Sequence, residues 1–192
     1  METMKAIEAR RSIRKFRPTP VSQDILQKIL RAATLAPSGK NKQPWKFYVV
    51  QGEKRQEMVD IMWKGIQRLE GNGIKTGSAK FTRKTMENAP VTIFIFNPTS
   101  KHPLLKRDVL EIYSDIVDVQ SIGAAIQNML LAAMEFDLGT LWICDIFLAY
   151  EELCDWIGEK GQLIAAISLG YPDQSPNALS CHPVDDVAVF IN

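Results

Sequence analysis

DIVDVQSIGAAIQNMLLAAMEFD, residues 115–137, is the stretch that decides the fold. It contains no proline, and its apolar residues recur at three- and four-residue spacing, as a buried helix requires. Asp118, Glu135 and several amides interrupt the apolar run, which argues against a membrane span. The stretch therefore predicts a central helix. That helix either only fills the core, or also forms a dimer interface or supports a cofactor.

Length and composition predict one domain, residues 1–192, with a sizeable core. The chain is 46% hydrophobic and 23% charged, and its net charge of +1 draws it neither to nucleic acid nor to a membrane. Positive charge is concentrated at the N-terminus, where residues 1–17 carry six basic side chains against two acidic ones. An anionic ligand explains this concentration, and so does a solvated basic surface.

The cysteine and histidine content argues against a structural metal. Cys144, Cys154 and Cys181 form no CxxC pair, and with only two histidines no zinc or other metal site is expected. A reducing compartment suits three unpaired cysteines. Because the N-terminus is charged throughout and has no apolar signal-peptide core, we expect a cytoplasmic protein.

Outward from the central helix, the sequence alternates helical and strand patterns, which predicts an α+β fold with both mixed around one core. Helices are expected at residues 3–9, 22–36, 53–69 and 150–157. Strands are expected at residues 46–51, 91–96, 141–144 and 163–170. Residues 71–88 are glycine-rich and basic, which predicts a mobile loop or lid, and residues 98–112 read as a surface excursion before the central helix. The last apolar piece, residues 187–190, predicts an edge strand in this chain or in a partner.

The first candidate binding segment is Arg10-Arg11-Ser12-Ile13-Arg14. Arginine donates in a rigid fork that suits phosphate oxygens, and the serine hydroxyl adds a neutral donor. Arg10 and Arg14 would meet on one side if the segment were helical. The alternative is an ordinary solvated basic face.

The second candidate is Ala36-Pro37-Ser38-Gly39-Lys40-Asn41-Lys42-Gln43-Pro44-Trp45. Two prolines stiffen a loop that presents serine, asparagine and glutamine, and a glycine allows close backbone approach. Such a loop can hydrogen-bond the polar edge of a ring or a polyol. The alternative is a plain helix-to-strand connection.

Two strand ends complete the candidates. They are Gly139-Thr140-Leu141-Trp142-Ile143-Cys144 and Ser168-Leu169-Gly170-Tyr171-Pro172. A core tryptophan would explain the first of them equally well.

In this order and spacing, the four segments resemble the FMN-dependent nitroreductase family, especially its short bacterial members. RRSIRKF, APSGKNKQPW, LGTLWI and LGYP span most of the chain, and the ordered set is more specific than any one piece. The resemblance implies a mixed, mainly antiparallel sheet flanked by helices around the long central helix. It also implies an interlocked homodimer with FMN at the interface.

The resemblance also implies the binding residues. Around the flavin phosphate and ribityl chain it places Arg10, Arg11, Ser12 and Arg14. From the other subunit it brings Pro37, Ser38, Gly39 and Asn41, with Gln43 nearby. Against the flavin ring it places Trp142, Ile143 and Cys144, and the last cofactor-binding position is Gly170.

Two positions depart from the family pattern. Cys144 stands where members often have glycine, near the reactive face of the ring, so its side chain would narrow the substrate pocket or alter the backbone contact to the flavin. Members also often carry a basic residue after GYP, whereas this tail offers only His182 near that place. Phosphate binding is therefore expected to depend more heavily on the N-terminal arginines.

The activity implied is an FMN oxidoreductase that takes hydride from NADH or NADPH and reduces a nitroaromatic, a quinone or a similar small molecule by a ping-pong mechanism. No catalytic side chain is expected, because the flavin carries the hydride. Cys144, in an apolar run, is expected to be inert, since burial raises the pKa of a thiol. Alternatives are a specialised relative, such as a reductive dehalogenase or a flavin-cleaving enzyme, and a non-enzymatic flavin- or nucleic-acid-binding module.

Overall fold

The computed structural model describes residues 2–191, in which seven helices surround one four-stranded sheet. In chain order the elements are α1 (Thr3–Ala9), α2 (Gln23–Thr34), β1 (Lys46–Gln51), α3 (Lys54–Gly71), α4 (Ala79–Asn88), β2 (Val91–Asn97), α5 (Val109–Met134), β3 (Gly139–Ile143), α6 (Tyr150–Ile157), β4 (Gln162–Gly170) and α7 (Val184–Val187). Short 3₁₀ turns lie at Gly39–Asn41 and Asp145–Ala149.

The sheet has the strand order β1-β2-β4-β3, and each of its three strand pairs is antiparallel. Helices cover both faces, so every residue of β2 is buried. Side chains along β2 alternate between the faces. Ile93 and Ile95 join a core with α2 and α5, whereas Phe94 and Phe96 join a second core with α3, α4 and α6. The α+β fold with a mainly antiparallel sheet is confirmed.

The central helix is confirmed as α5, but it begins at Val109 rather than near residue 115. Asp108 accepts a hydrogen bond from the backbone N of Glu111, and the Glu111 carboxylate accepts one from the backbone N of Asp108. This capping box satisfies the first amides of the helix and fixes its start. The expected surface excursion therefore ends at residue 108.

The two halves of α5 have different surroundings. By length and composition the helix could cross a membrane, but 44% of its most apolar window is buried in the protein, where the C-terminal half packs against α2 and the sheet. α5 is thus a core helix. The N-terminal half instead presents large apolar side chains to the outside. They are Val109, Leu110, Ile112, Tyr113, Ile116, Val117 and Val119.

The prediction of a mobile loop at residues 71–88 was wrong for its second half, which forms α4. Ala79, Thr85 and Met86 are buried, and α4 packs against α3 and the 3₁₀ turn after β3. The part without helix is confined to residues 72–78, where Gly73 and Gly77 have positive φ. Tertiary burial of one helix face therefore outweighed the polar, lysine-rich character of the segment.

The other boundaries agree closely with expectation. α1, β1 and α6 match their predicted residues, and Ser22 caps α2 by accepting a hydrogen bond from the backbone N of Ile25. Within residues 2–191, the apolar piece at 187–190 pairs with no strand of this chain. The alternative, pairing with a partner chain, stays a prediction.

Candidate functional site

The arginine segment, residues 10–17, is extended rather than helical. Arg10 ends α1 with φ −57° and ψ 133°. Beyond it the chain runs beside β3, where Ile13 N donates to Thr140 O at 2.9 Å and Ser12 pairs with Thr140 in parallel. Alternate residues of an extended chain lie on the same side. Arg10, Ser12 and Arg14 therefore lie on one side because they are two residues apart, and not because of helical spacing.

A close contact holds this segment against the sheet. Ile13 is buried, and a Cβ at Gly139 would come within 2.5 Å of its side chain. Only glycine permits that approach at the start of β3. The contact between Ile13 and Gly139 therefore sets the position of the neighbouring arginines relative to β3.

The tail cleft is a groove of about 550 Å³ between the arginine segment and residues 176–181. Arg10, Arg11, Ser12 and Arg14 all line it. Arg11 turns partly inward and donates to the carbonyl oxygens of Glu8 at 2.6 Å and Arg10 at 2.8 Å. Among residues 2–191, no carboxylate forms an ion pair with Arg10, Arg11 or Arg14. Their charge is therefore available to an anionic ligand.

The Trp142 cleft is a second groove, of about 300 Å³, beside β3. It is lined by Arg14, Ser78, Phe81, Thr82, Thr85, Leu141, Trp142, Ile143, Cys144 and Asp145. Trp142 is 38% exposed, so its ring offers an open aromatic surface. Arg14 lines both clefts and connects the arginine segment to that surface.

The three residues expected against a flat ring differ in what they present. Trp142 and Cys144 are exposed, but Ile143 is 2% exposed and its side chain packs into the core with Leu141. At Ile143 the backbone is therefore the accessible part. Desolvation raises the pKa of the Cys144 thiol, and the Asp145 carboxylate beside it adds to the shift. Both effects favour the protonated thiol. The expectation that the apolar run buries Cys144 was wrong, because the residue is exposed.

α4 forms the other wall of the Trp142 cleft, which the sequence reading missed. Ser78, Phe81, Thr82 and Thr85 recur at helical spacing on one face, the signal that would have shown them. Asp145 connects the start of α4 to the end of β3, because its carboxylate accepts hydrogen bonds from the hydroxyls of Ser78 at 2.9 Å and Thr82 at 2.6 Å.

The 37–45 loop folds back on itself in a strained backbone. Lys40, Asn41 and Gln43 have φ values of 53°, 55° and 50°, in the left-handed region. Ser38 Oγ accepts from Gln43 N at 3.0 Å, and the Gln43 amide donates to Asn41 Oδ1 at 3.3 Å. The side chains of Asn41 and Gln43 are exposed, as is Pro37. Polar groups of the loop therefore face outward.

The loop lies on α5. A Cβ at Gly39 would come within 2.4 Å of Val117, and Gly39 N donates to Ser121 Oγ at 3.4 Å. Trp142 approaches the same helix at Gly123, where a Cβ would lie 3.9 Å from its ring. Ser121 and Gly123 are about 160° apart around a helix. Within one chain, α5 thus stands between the loop and the Trp142 cleft, and the four segments do not converge.

The end of β4 has a packing role. Gly170 is buried, and a Cβ there would come within 2.4 Å of Pro90. Beyond it the chain pairs with the arginine segment, because Arg17 N donates to Tyr171 O at 2.8 Å and Asp173 N donates to Lys15 O at 2.9 Å. An acidic residue, Asp173, follows the GYP sequence. Within residues 2–191, no group of three or more histidine, cysteine or carboxylate side chains is placed to hold a metal ion.

Comparison with known proteins gives consistent similarities. The sequence profile of the nitroreductase family matches residues 7–171. The chain is 32% identical over 177 residues to a protein of Archaeoglobus fulgidus named as a candidate NADH dehydrogenase/NAD(P)H nitroreductase, and the match covers 89% of this chain and 86% of that protein.

Two solved structures share the whole fold. A candidate nitroreductase of Desulfovibrio desulfuricans in complex with FMN is 28% identical, with a TM-score of 0.76 and coverage of 100% of this chain and 98% of that one. A BluB-like flavoprotein of Clostridium difficile is also 28% identical, with a TM-score of 0.76 and full coverage of both chains.

Proposed function

Because the chain belongs to the nitroreductase family, we propose that it is an FMN-dependent oxidoreductase that oxidises NADH or NADPH and reduces a nitroaromatic, a quinone or a similar small acceptor. The two substrates react in alternation at one site, in a ping-pong mechanism. When bound, FMN supplies the hydride chemistry, and the chain supplies binding and orientation.

One observation carries the proposal: Arg14 belongs to both clefts, so a cluster of cations adjoins an open aromatic surface. FMN has the matching parts, an anionic phosphate and a flat ring. Arg10 and Arg14 bind the phosphate, and the Ser12 hydroxyl donates to it or to the ribityl chain. Charge-assisted hydrogen bonds of this kind are about twice as strong as neutral ones.

The aromatic side chains Phe81 and Trp142 give the Trp142 cleft an apolar part that suits the ring. Trp142 gives it an aromatic contact, while Cys144 and the Ile143 backbone border one edge. α4 closes the opposite side and excludes water from part of the surface. Asp145 keeps α4 in place through the Ser78 and Thr82 hydroxyls.

The proposed assembly is a homodimer. The exposed half of α5 presents a stripe with Val109, Ile112, Tyr113 and Ile116 at three- and four-residue intervals. Contiguous exposed apolar surface of this kind is typical of an interface. The C-terminal residues 189–191 are similarly apolar and exposed, which suits contact with a second copy.

A dimer also accounts for the 37–45 loop. In one chain α5 separates the loop from the Trp142 cleft, yet the loop lies on the exposed half of α5 at Val117. A second copy packed on that half receives the loop at its own cleft. Asn41 and Gln43 then donate to the edge of the flavin bound by the other subunit.

No side chain is needed as nucleophile or proton relay. The raised pKa of Cys144 keeps its thiol neutral, so the residue acts through its size at the edge of the substrate space. If both substrates used the Trp142 cleft in turn, the space beside Cys144 would limit the bulk of the acceptor.

A titration tests the proposal. Purified apoprotein is titrated with FMN and with FAD while flavin fluorescence is followed, and the loaded protein is then given NADH or NADPH with a quinone. We expect saturable FMN binding, and steady nicotinamide oxidation that requires the quinone. Protein that leaves FMN fluorescence unchanged would exclude the proposal.

The same assay separates the alternatives. A flavin-cleaving enzyme would destroy its flavin, so the yellow absorbance would be lost permanently during turnover. A non-enzymatic flavin module would bind FMN without oxidising NADH or NADPH at a catalytic rate. Salt-sensitive binding of an oligonucleotide without turnover would indicate a nucleic-acid-binding module.

A further inference from the structure

We propose that Asp118 positions the 37–45 loop for flavin binding by holding it through Lys42. Lys42 Nζ lies 2.5 Å from Asp118 Oδ2, and Asp118 is 3% exposed. The inference deepens the proposed function and rests on it, since the loop is the part that contacts the flavin of the other subunit.

The loop needs an external restraint. Three of the four residues from Lys40 to Gln43 are non-glycine residues in the left-handed region. A side chain in that region crowds its own backbone, and such conformations persist only where the surroundings fix them. Lys42 is the one residue of these four with an ordinary φ, −65°, and it is the one that reaches Asp118.

The other end of the restraint is anchored in the core. Asn97, at the end of β2 and fully buried, donates from Nδ2 to Asp118 Oδ2 at 3.1 Å. Its Oδ1 accepts from the backbone N of Thr99 at 3.1 Å and from the Thr99 hydroxyl at 2.9 Å, so the amide cannot turn freely. The Asp118 carboxylate is therefore fixed from the sheet side and holds Lys42 on the solvent side.

Pro44 and Trp45 pack the end of the loop against the core, but the other hydrogen bonds of residues 38–43 are weaker or internal to the loop. Gly39 N reaches Ser121 Oγ at 3.4 Å, and the Ser38 Oγ and Asn41 Oδ1 bonds lie within the loop itself. Bonds inside a segment stabilise its shape but do not fix it to the protein. The Lys42–Asp118 contact joins loop, α5 and β2, so it sets where Asn41 and Gln43 stand.

This arrangement has a consequence for affinity. If the loop occupies its observed conformation for only a tenth of the time, the apparent Kd for FMN rises about tenfold. Removal of the ion pair should therefore weaken FMN binding even though neither Lys42 nor Asp118 contacts the flavin.

Lys46 and Glu159 provide a matched control. Lys46 lies four residues beyond Lys42, and its Nζ is 2.8 Å from Glu159 Oε2, a carboxylate that is 12% exposed. This pair ties β1 to the turn before β4 and lies outside the loop. Its loss removes a comparable ion pair and leaves the loop anchor intact.

The experiment compares Lys42→Met, Asp118→Asn, the double variant and Lys42→Arg with Lys46→Met. FMN affinity, the visible circular dichroism of bound flavin and the melting temperature are measured for each. We expect an FMN Kd about tenfold higher in both single variants and no further rise in the double variant, because the two residues act as one unit. Lys42→Arg should restore most of the affinity, and Lys46→Met should leave it within about twofold.

A purely structural ion pair would give a different pattern. Lys42→Met and Lys46→Met would then lower the melting temperature alike while FMN affinity and flavin dichroism stayed at wild-type values, and the inference would be overturned. If Asp118→Asn does not fold, Lys42→Met and Lys42→Arg, altered at a residue on the surface, give the same comparison. Absence of FMN binding by the wild type would instead refute the proposed function itself.

Discussion

Replacing Arg14 by alanine tests how the chain binds the flavin phosphate. Arg14 lines both clefts, and among residues 2–191 no carboxylate pairs with it. A hydrogen bond to a charged group contributes about 1.5–3 kcal/mol. Loss of one such contact therefore raises the Kd for FMN about 13- to 160-fold.

The assay is a fluorescence titration with FMN and, in parallel, with riboflavin, which has the same ring and ribityl chain but no phosphate. Arg17→Ala is the matched control. Arg17 is exposed, lies on the same extended segment, and stands outside the residues that line either cleft. Arg17→Ala removes the same unit of positive charge as Arg14→Ala. The comparison therefore separates direct contact with the phosphate from long-range electrostatic attraction by the segment.

We expect Arg14→Ala to weaken FMN binding strongly and riboflavin binding only slightly, and Arg17→Ala to change both little. Equal losses for the two ligands would show that Arg14 contacts the ring or supports the fold. Equal effects of Arg14→Ala and Arg17→Ala would show only long-range attraction. Either result would refute the phosphate assignment.

Three further predictions follow from the same structure. Ile116→Asp, on the exposed stripe of α5, should convert the proposed dimer to a monomer in sedimentation and weaken FMN binding in parallel, because burying an unpaired charge at an interface is strongly unfavourable. A dimer that persists would exclude this face as the interface. Hydrogen bonds from Lys46 and Tyr48 lower the pKa of Glu159 from 4.5 to about 2, so the stability that this carboxylate contributes is complete above pH 4.5 and is lost as the pH falls toward 2. Urea unfolding of Glu159→Gln should show a flatter pH dependence in that window, and an unchanged slope would contradict the assignment. Cys144→Ser should keep its flavin and most of its activity, and Cys144→Gly should increase the turnover of bulky acceptors. A large loss of the single-turnover rate in Cys144→Ser would instead indicate that the thiol takes part in the reaction.

The elements that the sequence predicted well are those with local signals. β2 is a continuous apolar run, and α2 begins at a serine cap with a clean apolar face, so both could be placed to within a residue or two. The start of α5 has a local signal too, the Asp108–Glu111 capping box, whereas the apolar stretch at residues 115–137 predicts a later start.

The elements that were missed depend on contacts distant in sequence. α4 is polar along much of its surface, and its helical state follows from burial of Ala79 and Met86 against α3. Its role as a wall of the Trp142 cleft depends on Asp145, more than sixty residues away along the chain. The helical spacing of Ser78, Phe81, Thr82 and Thr85 indicates a helix face, but it does not show that this face meets Asp145.

The candidate site was predictable as a set of segments and not as an arrangement. The sequence names the arginines, the loop amides and Trp142 as candidates, yet the extended path of residues 10–17 is fixed by pairing with Thr140 and by the space at Gly139. The positive φ values of Lys40 and Gln43 run against the backbone preference of these residue types. Lys42 is held by the buried Asp118 of α5, a contact distant in sequence.

The most direct test of a flavin site built from two chains is complementation between two defective subunits. One subunit carries Arg14→Ala, and the other carries Asn41→Ala with Gln43→Ala; the two are co-expressed with different tags and the mixed dimer is isolated. A shared site predicts that one of the two sites in each mixed dimer is intact, so half of the sites bind FMN with wild-type affinity. If each site is formed within one chain, every site in the mixed dimer is defective, and the absence of any wild-type site would contradict the account.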